Sequence, residues 1–448
     1  MKKYDIVVIG GGPAGVISAV TAKGYYPDKN VILVRKVDKG VIPCGIPYVF
    51  SSLDSVDKNI MPDKPLEANN IELKIDELVA INRKDKVAKF ASGDEIHYEK
   101  LVLAIGSEPI VPPIPGVNKK GIYTIQKSLE FLRELREKIY ESKNIVIIGG
   151  GFIGVEFADE LSKIDGLNIH IVEMLPHCLS GAFDEEFSIL AEEKLKDQGV
   201  KLHLGVRAEE FIGSEKVEQV RLSNGEILPA DLVILSIGAK PKTKIAEEAG
   251  LWIGRSGGIW VDEYMRTSDP DIFAVGDCAE KRCFYTRRHI PVMLASTATS
   301  EARIAGSNLY ELKVVRENRG TIAIFSTKVG DLALGSAGLT EKRAKEEGFE
   351  VVTGVAKGVD KHPGALPGAN QVMVKLVFSK CSGTILGGQV AGGTSAGEII
   401  NIIGLAIQKR VQAVELETLQ MATHPWLTPA PTVYPVVVAA MNALSKIR

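Results

Sequence analysis

The chain has 448 residues, 45% of them apolar and 25% charged, with a formal net charge of −2 at pH 7. That is the composition of a globular protein with roughly two to four domains at about 150 residues each, and its near-neutral charge gives no reason to expect nucleic acid or an anionic membrane as partner. No run approaches about 18 uninterrupted apolar residues, which argues against a membrane span, and the five scattered cysteines form neither a disulfide framework nor a paired zinc pattern, so no metal is expected.

Met1-Lys2-Lys3-Tyr4-Asp5 enters the first predicted strand at once and leaves no room for a signal peptide; with the cysteine usage, this favours a cytoplasmic setting. Asp5-Ile6-Val7-Val8-Ile9 is an apolar, β-branched run that leads into Gly10-Gly11-Gly12-Pro13-Ala14-Gly15. Glycine at Gly10, Gly12 and Gly15 lets the turn tighten, lets backbone approach a pyrophosphate and lets the next helix pack close to the strand. The start of that helix offers unsatisfied N–H groups and a partial positive charge to phosphate. Val31 to Val34 reads as a second strand, completing a βαβ unit over residues 1–37.

Residues 71–103 look like short alternating strands ending in the run Leu101-Val102-Leu103-Ala104-Ile105-Gly106. Pro109, Pro112, Pro113 and Pro115 then mark a crossover between domains. Ser128 to Lys143 has the pattern of an amphipathic helix, and beyond it the opening signature returns: Asn144-Ile145-Val146-Ile147-Ile148 runs into Gly149-Gly150-Gly151-Phe152-Ile153-Gly154. One such signature is weak evidence. Two, each after a predicted strand, imply two dinucleotides on one protein. The second unit continues through Asn168 to Glu173 and closes near the run Leu232 to Gly238; Ile272 to Asp277 is a buried strand stopped by Gly-Asp. From about Gly320 the texture changes to strands, glycine turns and a helix from Ala396 to Lys409, as in an α+β module.

Taken in this order, the two glycine-rich units, Ala104-Ile105-Gly106, Ser236-Ile237-Gly238-Ala239 and Phe273-Ala274-Val275-Gly276-Asp277 resemble the FAD-dependent pyridine nucleotide–disulfide oxidoreductases over essentially the whole chain. The resemblance implies an α/β protein with two Rossmann-like dinucleotide-binding domains and a C-terminal α+β dimerisation domain. It assigns residues 1–113 and 242–319 to FAD, 114–241 to NADH and 320–448 to dimerisation in a homodimer. It places FAD at Gly10, Gly12, Pro13, Ala14, Gly15, Arg35, Cys44, Ala104, Gly106, Asp277 and Ala295, the last on a helix within Pro291 to Gly306. It places the nicotinamide nucleotide at Gly149, Gly151, Phe152, Ile153, Gly154, Glu156, Glu173 and Gly238.

Cys44 lies in Ile42-Pro43-Cys44-Gly45-Ile46-Pro47-Tyr48, and Val49 stands where a second redox cysteine would be. This stretch resembles the single-cysteine branch of the family: coenzyme A-disulfide reductases, NADH oxidases and NAD(P)H polysulfide reductases. A thiol at the start of a helical turn beside a flavin has its thiolate stabilised, ready to attack a disulfide or polysulfide or to pass through sulfenic acid. Cys278 and Cys283 share a C-x₄-C spacing but read as packing residues, and Cys178 and Cys381 have no chemical context.

Glu173, ending the second strand of its unit, suits the adenosine ribose hydroxyls and repels a 2′-phosphate, which favours NADH over NADPH. Phe152 fits either a cover for the flavin's nicotinamide face or packing of helix on sheet. In the first unit the equivalent acid is missing, and Arg35 is expected to approach the FAD phosphates or adenine, with backbone carbonyls or Asp38 meeting the ribose. Pro13 stands where NADH oxidases of the branch have a histidine, which counts against four-electron reduction of oxygen. His424-Pro425-Trp426-Leu427-Thr428 resembles the His-Pro-x-Leu-Thr of lipoamide dehydrogenase, implying an acid–base catalyst reaching across the dimer; Pro429 replaces the supporting glutamate, so an ordinary interface histidine is the alternative. His362 is a weaker candidate on the same surface.

The expected activity is an FAD-dependent NADH oxidoreductase that uses one cysteine to reduce a small disulfide, polysulfide or persulfide. An NADH oxidase acting on oxygen, a reductase of an electron-carrier protein and a non-catalytic NADH-sensing flavoprotein are the alternatives.

Overall fold

A computed structural model describes residues 2–315 and 318–447. The chain folds as two compact units, one of residues 1–111, 124–141 and 238–321, the other of residues 112–123, 142–237 and 322–448. The fold class is α/β as expected.

In the first unit, Lys2–Ile9 pairs in parallel with Val31–Arg35 on one side and Glu95–Leu103 on the other. Glu72–Ile75 extends the parallel run beyond Val31–Arg35, and Ile272–Ala274 pairs in parallel with Glu95–Leu103. Leu78–Asn82 and Val87–Phe90 complete the seven-stranded sheet as an antiparallel extension. Ile6, Val7, Val8, Leu101, Val102 and Leu103 have no exposed surface at all. Strands buried on both faces read as unbroken apolar runs, which is why these segments stood out in the sequence. The helix Pro13–Tyr25 follows the first strand directly, and Leu129–Tyr140 starts from Ser128, whose hydroxyl accepts the Phe131 N–H at 3.4 Å.

The second unit repeats the design. Lys201–Leu204, Asn168–Glu173, Asn144–Ile148 and Leu232–Leu235 form a parallel run in that order, and the helix Phe152–Leu161 follows the central strand. The C-terminal module is a five-stranded antiparallel sheet in the order Phe325–Val329, Leu332–Gly338, Ile385–Gly392, Gln371–Ser379 and Val351–Val359. The helices Ala396–Lys409 and Pro435–Ile447 pack on it. A Cβ at Gly354 would lie 1.8 Å from the Ala439 carbonyl oxygen, so this strand and the last helix touch backbone to backbone. Lys375, buried in this sheet, meets Asp184 at 3.0 Å, Glu186 at 2.6 Å and Glu341 at 2.8 Å, and Gln389 donates to Asp184 at 2.6 Å. That network ties the C-terminal sheet to the stretch between Asn168–Glu173 and Lys201–Leu204 of the second nucleotide-type fold.

Candidate active site

The two glycine turns share one geometry. Gly10 has φ +118°, and a Cβ there would lie 2.1 Å from the Ala104 carbonyl oxygen; one at Gly15 would lie 1.8 Å from the Gly10 carbonyl. At Gly12, by contrast, a Cβ would meet nothing within 4 Å. Gly149 has φ +107°, a Cβ on Gly154 would fall 1.9 Å from the Gly149 carbonyl, and Gly151 again faces open space. Two glycines of each set therefore serve close internal packing, and the third opens the helix start to a ligand. Gly12 and Gly151 are the N-caps of their helices, and neither helix has a side-chain cap. The leading N–H groups are thus available to an anion, and the donor set fits the pyrophosphate of a dinucleotide at both places. Gly106 and Gly238, each following the strand beside its glycine turn, also face open space or a single methyl group.

Asp277 sits in the turn Gly276–Cys278 at the end of the strand Ile272–Ala274. A Cβ at Gly276 would lie 2.9 Å from that of Ala14, which brings this turn against the first glycine-rich helix start. Asp277 accepts the Ser107 hydroxyl at 2.8 Å, with Lys127 Nζ at 3.6 Å. Behind it, buried Glu301 accepts the Gly276 N–H at 2.9 Å and pairs with buried Lys281 at 3.0 Å, while Lys281 also donates to the carbonyls of Gly276 at 2.6 Å and Ala279 at 3.0 Å. Burial pushes the Glu301 carboxyl up, against the opposing pull of Lys281. Glu301 belongs to the helix Ala295–Ser307, so the pair fixes that helix, with Ala295 at its uncapped start, to the Asp277 turn. Cys278 is fully buried, its Sγ 3.3 Å from the Leu103 and Val275 carbonyls, and burial raises its thiol; Cys283 is buried and in no disulfide. Packing is their role.

Arg35 is turned inward. Its guanidinium forks onto Asp63 at 2.5 and 2.8 Å, its Nε donates to the Val37 carbonyl at 3.0 Å, and it also donates to the Asp38 carbonyl. Its aliphatic stem fills the space beside Gly11, where a Cβ would meet it at 2.5 Å. Asp63 thus satisfies the buried cation, and the Asp38 carbonyl already has a donor.

Cys44 is exposed, in the short helical turn Pro43–Gly45. Asn59, itself buried, spans this turn: its Nδ2 donates to the Ile42 carbonyl at 3.0 Å, and the Ile42 N–H donates to the Asn59 carbonyl at 2.9 Å. Gly45 is required here because a Cβ would lie 2.0 Å from Asn59 Oδ1.

In the second unit Glu173 is buried at the end of its strand, accepting the Gly150 N–H at 2.6 Å and the Leu175 N–H at 2.7 Å. Glu156, one turn into the helix Phe152–Leu161, accepts the Thr327 hydroxyl at 2.9 Å. Burial raises its carboxyl to about 7, helped by Asp159 and opposed by the Thr327 hydrogen bond. The Phe152 ring stacks on Phe325 at 4.9 Å and 12° and lies 6.1 Å from Phe183, so it packs helix against sheet; Ile153 is exposed. Cys178, buried against Gly150, has its thiol pushed up to about 12 by burial and neighbouring carboxylates.

His424 is exposed in a turn that its own backbone closes: its carbonyl accepts the Leu427 and Thr428 N–H groups, both at 3.0 Å. Its Nδ1 accepts the Trp426 N–H at 3.3 Å, which leaves the proton of the neutral ring on Nε2. A backbone donor thus orients the ring. His362 donates from Nδ1 to the Thr428 carbonyl at 2.9 Å, which joins the two histidine loops. Asn59, Asp63, Ser107, Lys127, Lys281, Glu301 and Thr327 went unnoticed in the sequence. Only Asp63 left a signal there, as the acid that a buried Arg35 demands.

Two dinucleotide-type turns, an aspartate turn beside the first and the exposed Cys44 thiol define a two-nucleotide redox architecture. Family comparison gives the same class: residues 4–302 match the pyridine nucleotide-disulphide oxidoreductase family, and residues 324–433 match the dimerisation domain of that family. The chain belongs to the pyridine nucleotide-disulphide oxidoreductase family and is an oxidoreductase. It is 32% identical to an NADH oxidase of Methanocaldococcus jannaschii over 98% of this chain and 99% of that one. It is 36% identical to an NAD(P)H coenzyme A polysulfide/persulfide reductase of Pyrococcus horikoshii over 88% of each chain. Among solved structures, the NAD-dependent persulfide reductase of A. fulgidus superimposes with a TM-score of 0.91 at 32% identity, covering 99% of this chain and 83% of that one.

Proposed function

We propose that this protein is an FAD-dependent NADH oxidoreductase that reduces a small disulfide, polysulfide or persulfide through Cys44. The observation that carries the reading is the exposed thiol on a braced turn in the same unit as the first glycine cradle. The persulfide- and polysulfide-reducing relatives support the choice of acceptor. FAD, when bound, supplies the two-electron relay between NADH and sulfur.

Gly12 and the helix behind it would hold the FAD pyrophosphate, Asp277 its ribityl region, and Gly151 with Glu173 the pyrophosphate and ribose of NADH. The Cys44 thiolate attacks one sulfur of the acceptor, forming a mixed disulfide and releasing the other sulfur as thiolate. Two electrons from NADH then cleave that disulfide, regenerating Cys44 and releasing the second thiol with one proton. His424 of the partner subunit, carrying a second proton taken from solvent, delivers that proton from Nε2 and is left as the neutral ring, in a homodimer built on the dimerisation domain. No helix among the described residues is long and apolar enough to cross a membrane, and we place the enzyme in the cytoplasm.

The test is anaerobic NADH consumption by the wild type and Cys44→Ser, with coenzyme A disulfide and polysulfide supplied in turn and oxygen in a parallel aerobic assay. Sulfur-acceptor turnover lost only in the variant supports the reading. Full turnover by Cys44→Ser indicates a carrier-protein reductase instead, and turnover with oxygen alone indicates an NADH oxidase.

A further inference from the structure

The Cys44 turn continues into a second short helical turn, Pro47–Phe50, with the Val49, Phe50 and Leu53 carbonyls at and just beyond its far end. Two side chains of the helix Leu129–Tyr140 meet them. Arg136 Nη1 donates to the Val49 carbonyl and to the Leu53 carbonyl at 2.9 Å, and the Tyr140 hydroxyl donates to the Phe50 carbonyl at 3.1 Å. The guanidinium lies 5.4 Å from the Tyr140 ring centroid, so each side chain also orients the other. The buried face of this helix is Leu129, Leu132, Leu135 and Ile139, and Arg136 and Tyr140 stand at the margin of that face, on the side of Leu129.

From this geometry we infer that Arg136, seconded by Tyr140, is a positioning residue for the Cys44 thiol. The inference rests on the reading of Cys44 as the redox sulfur. Asn59 braces the start of the turn, and Arg136 with Tyr140 braces its end. Held at both ends, the segment presents the Cys44 thiol in one place, and a cation beside that segment favours the thiolate. The other charged groups of this stretch are already matched, Asp54 with Lys58 at 2.8 Å and Asp57 with Arg133 at 2.5 Å. Arg136 is therefore the charge directed at the turn itself.

The experiment uses the FAD-loaded enzyme and four variants: Arg136→Met, Arg136→Lys, Tyr140→Phe and Cys44→Ser. The rate of Cys44 alkylation by iodoacetamide is followed against pH, and NADH turnover is compared with polysulfide and with ferricyanide, an outer-sphere acceptor that bypasses the thiol. In Arg136→Met the alkylation midpoint is expected to move to higher pH, and polysulfide kcat to fall roughly tenfold with the ferricyanide rate within about twofold. Arg136→Lys is expected to recover most of the loss. Tyr140→Phe, which removes one hydroxyl, should shift the midpoint less and in the same direction, and it carries the test if Arg136→Met fails to fold. An unchanged midpoint, or equal loss with both acceptors, overturns the positioning role. Polysulfide turnover surviving in Cys44→Ser refutes the reading of the cysteine instead, and the alkylation profile still judges Arg136.

Discussion

Asn59 Oδ1 occupies the place where a side chain at Gly45 would begin, 2.0 Å from the position of a Cβ. The same amide holds the Ile42 carbonyl, so the glycine after the cysteine and the asparagine form one device that sets the thiol-bearing turn. Gly45→Ala is expected to expel Asn59, break that bond and destabilise the fold by about 1–3 kcal/mol, with thiol-dependent turnover nearly lost. Asn59→Ala alone should cost less, and in the Gly45→Ala background it should restore part of the stability by vacating the space. Urea unfolding of the two single variants and the double decides the matter: additive effects mean the two residues are not coupled.

Glu156 gives the enzyme a pH-dependent stability whose sign follows from its burial. Its carboxyl titrates at about 7 in the fold, against an ordinary value of 4.5. Burial disfavours the ionised form, so the stability it allows is intact below pH 4.5 and is lost as pH rises through about 7. Relative to Glu156→Gln, the wild type should lose on the order of 3 kcal/mol between pH 4.5 and 8. Thr327→Val, which deletes the hydroxyl favouring the ionised form, should move the midpoint higher still. Melting temperatures of the three proteins across that range are the measurement, and parallel curves for wild type and Glu156→Gln would refute the assignment.

Glu173 is held by two backbone donors, Gly150 and Leu175, rather than by a cation. Removing the carboxylate in Glu173→Ala deletes an acceptor for ribose and leaves two N–H groups free to meet a 2′-phosphate. The loss of a charged hydrogen bond predicts a rise of roughly tenfold to a hundredfold in KM for NADH. KM for NADPH should fall, so the ratio of kcat/KM values moves toward NADPH. Steady-state kinetics with ferricyanide as acceptor reads this directly, and an unchanged ratio means the carboxylate does not select the nucleotide.

The parts of this molecule legible in the sequence are those where a local rule acts. Buried parallel strands appeared as apolar runs, and Gly10, Gly15, Gly149 and Gly154 appeared because close backbone approach admits no Cβ. Ser128 marked the start of its helix by capping it. What stayed hidden depends on partners far along the chain. Arg35, expected at the FAD phosphates or adenine, pairs with Asp63, and Phe152, compatible with two roles, stacks on Phe325. Asn59, Arg136 and Lys127 leave no periodicity, because one polar side chain reaching one carbonyl or carboxylate has no repeat to betray it.

Glu301 and Lys281 are both buried, 3.0 Å apart, behind the Asp277 turn. Breaking such a pair by removing one partner costs about 3–5 kcal/mol, because the remaining charge has no equivalent compensation. In Lys281→Met the survivor is a carboxyl that burial already pushes up, now without its cation. It should take up a proton more readily than in the wild type, so the variant's deficit should be small at low pH and grow as pH rises, the sign for a carboxyl raised in the fold. In Glu301→Gln the survivor is a lysine that keeps the Gly276 and Ala279 carbonyls, which makes that variant the milder of the two. Replacing both in Lys281→Met/Glu301→Leu removes both buried charges and should recover stability over Lys281→Met alone. Chemical unfolding at pH 5 and pH 8 with FAD bound separates these cases; a double variant no more stable than Lys281→Met would show that the pair acts through the Gly276 N–H and not through its charges.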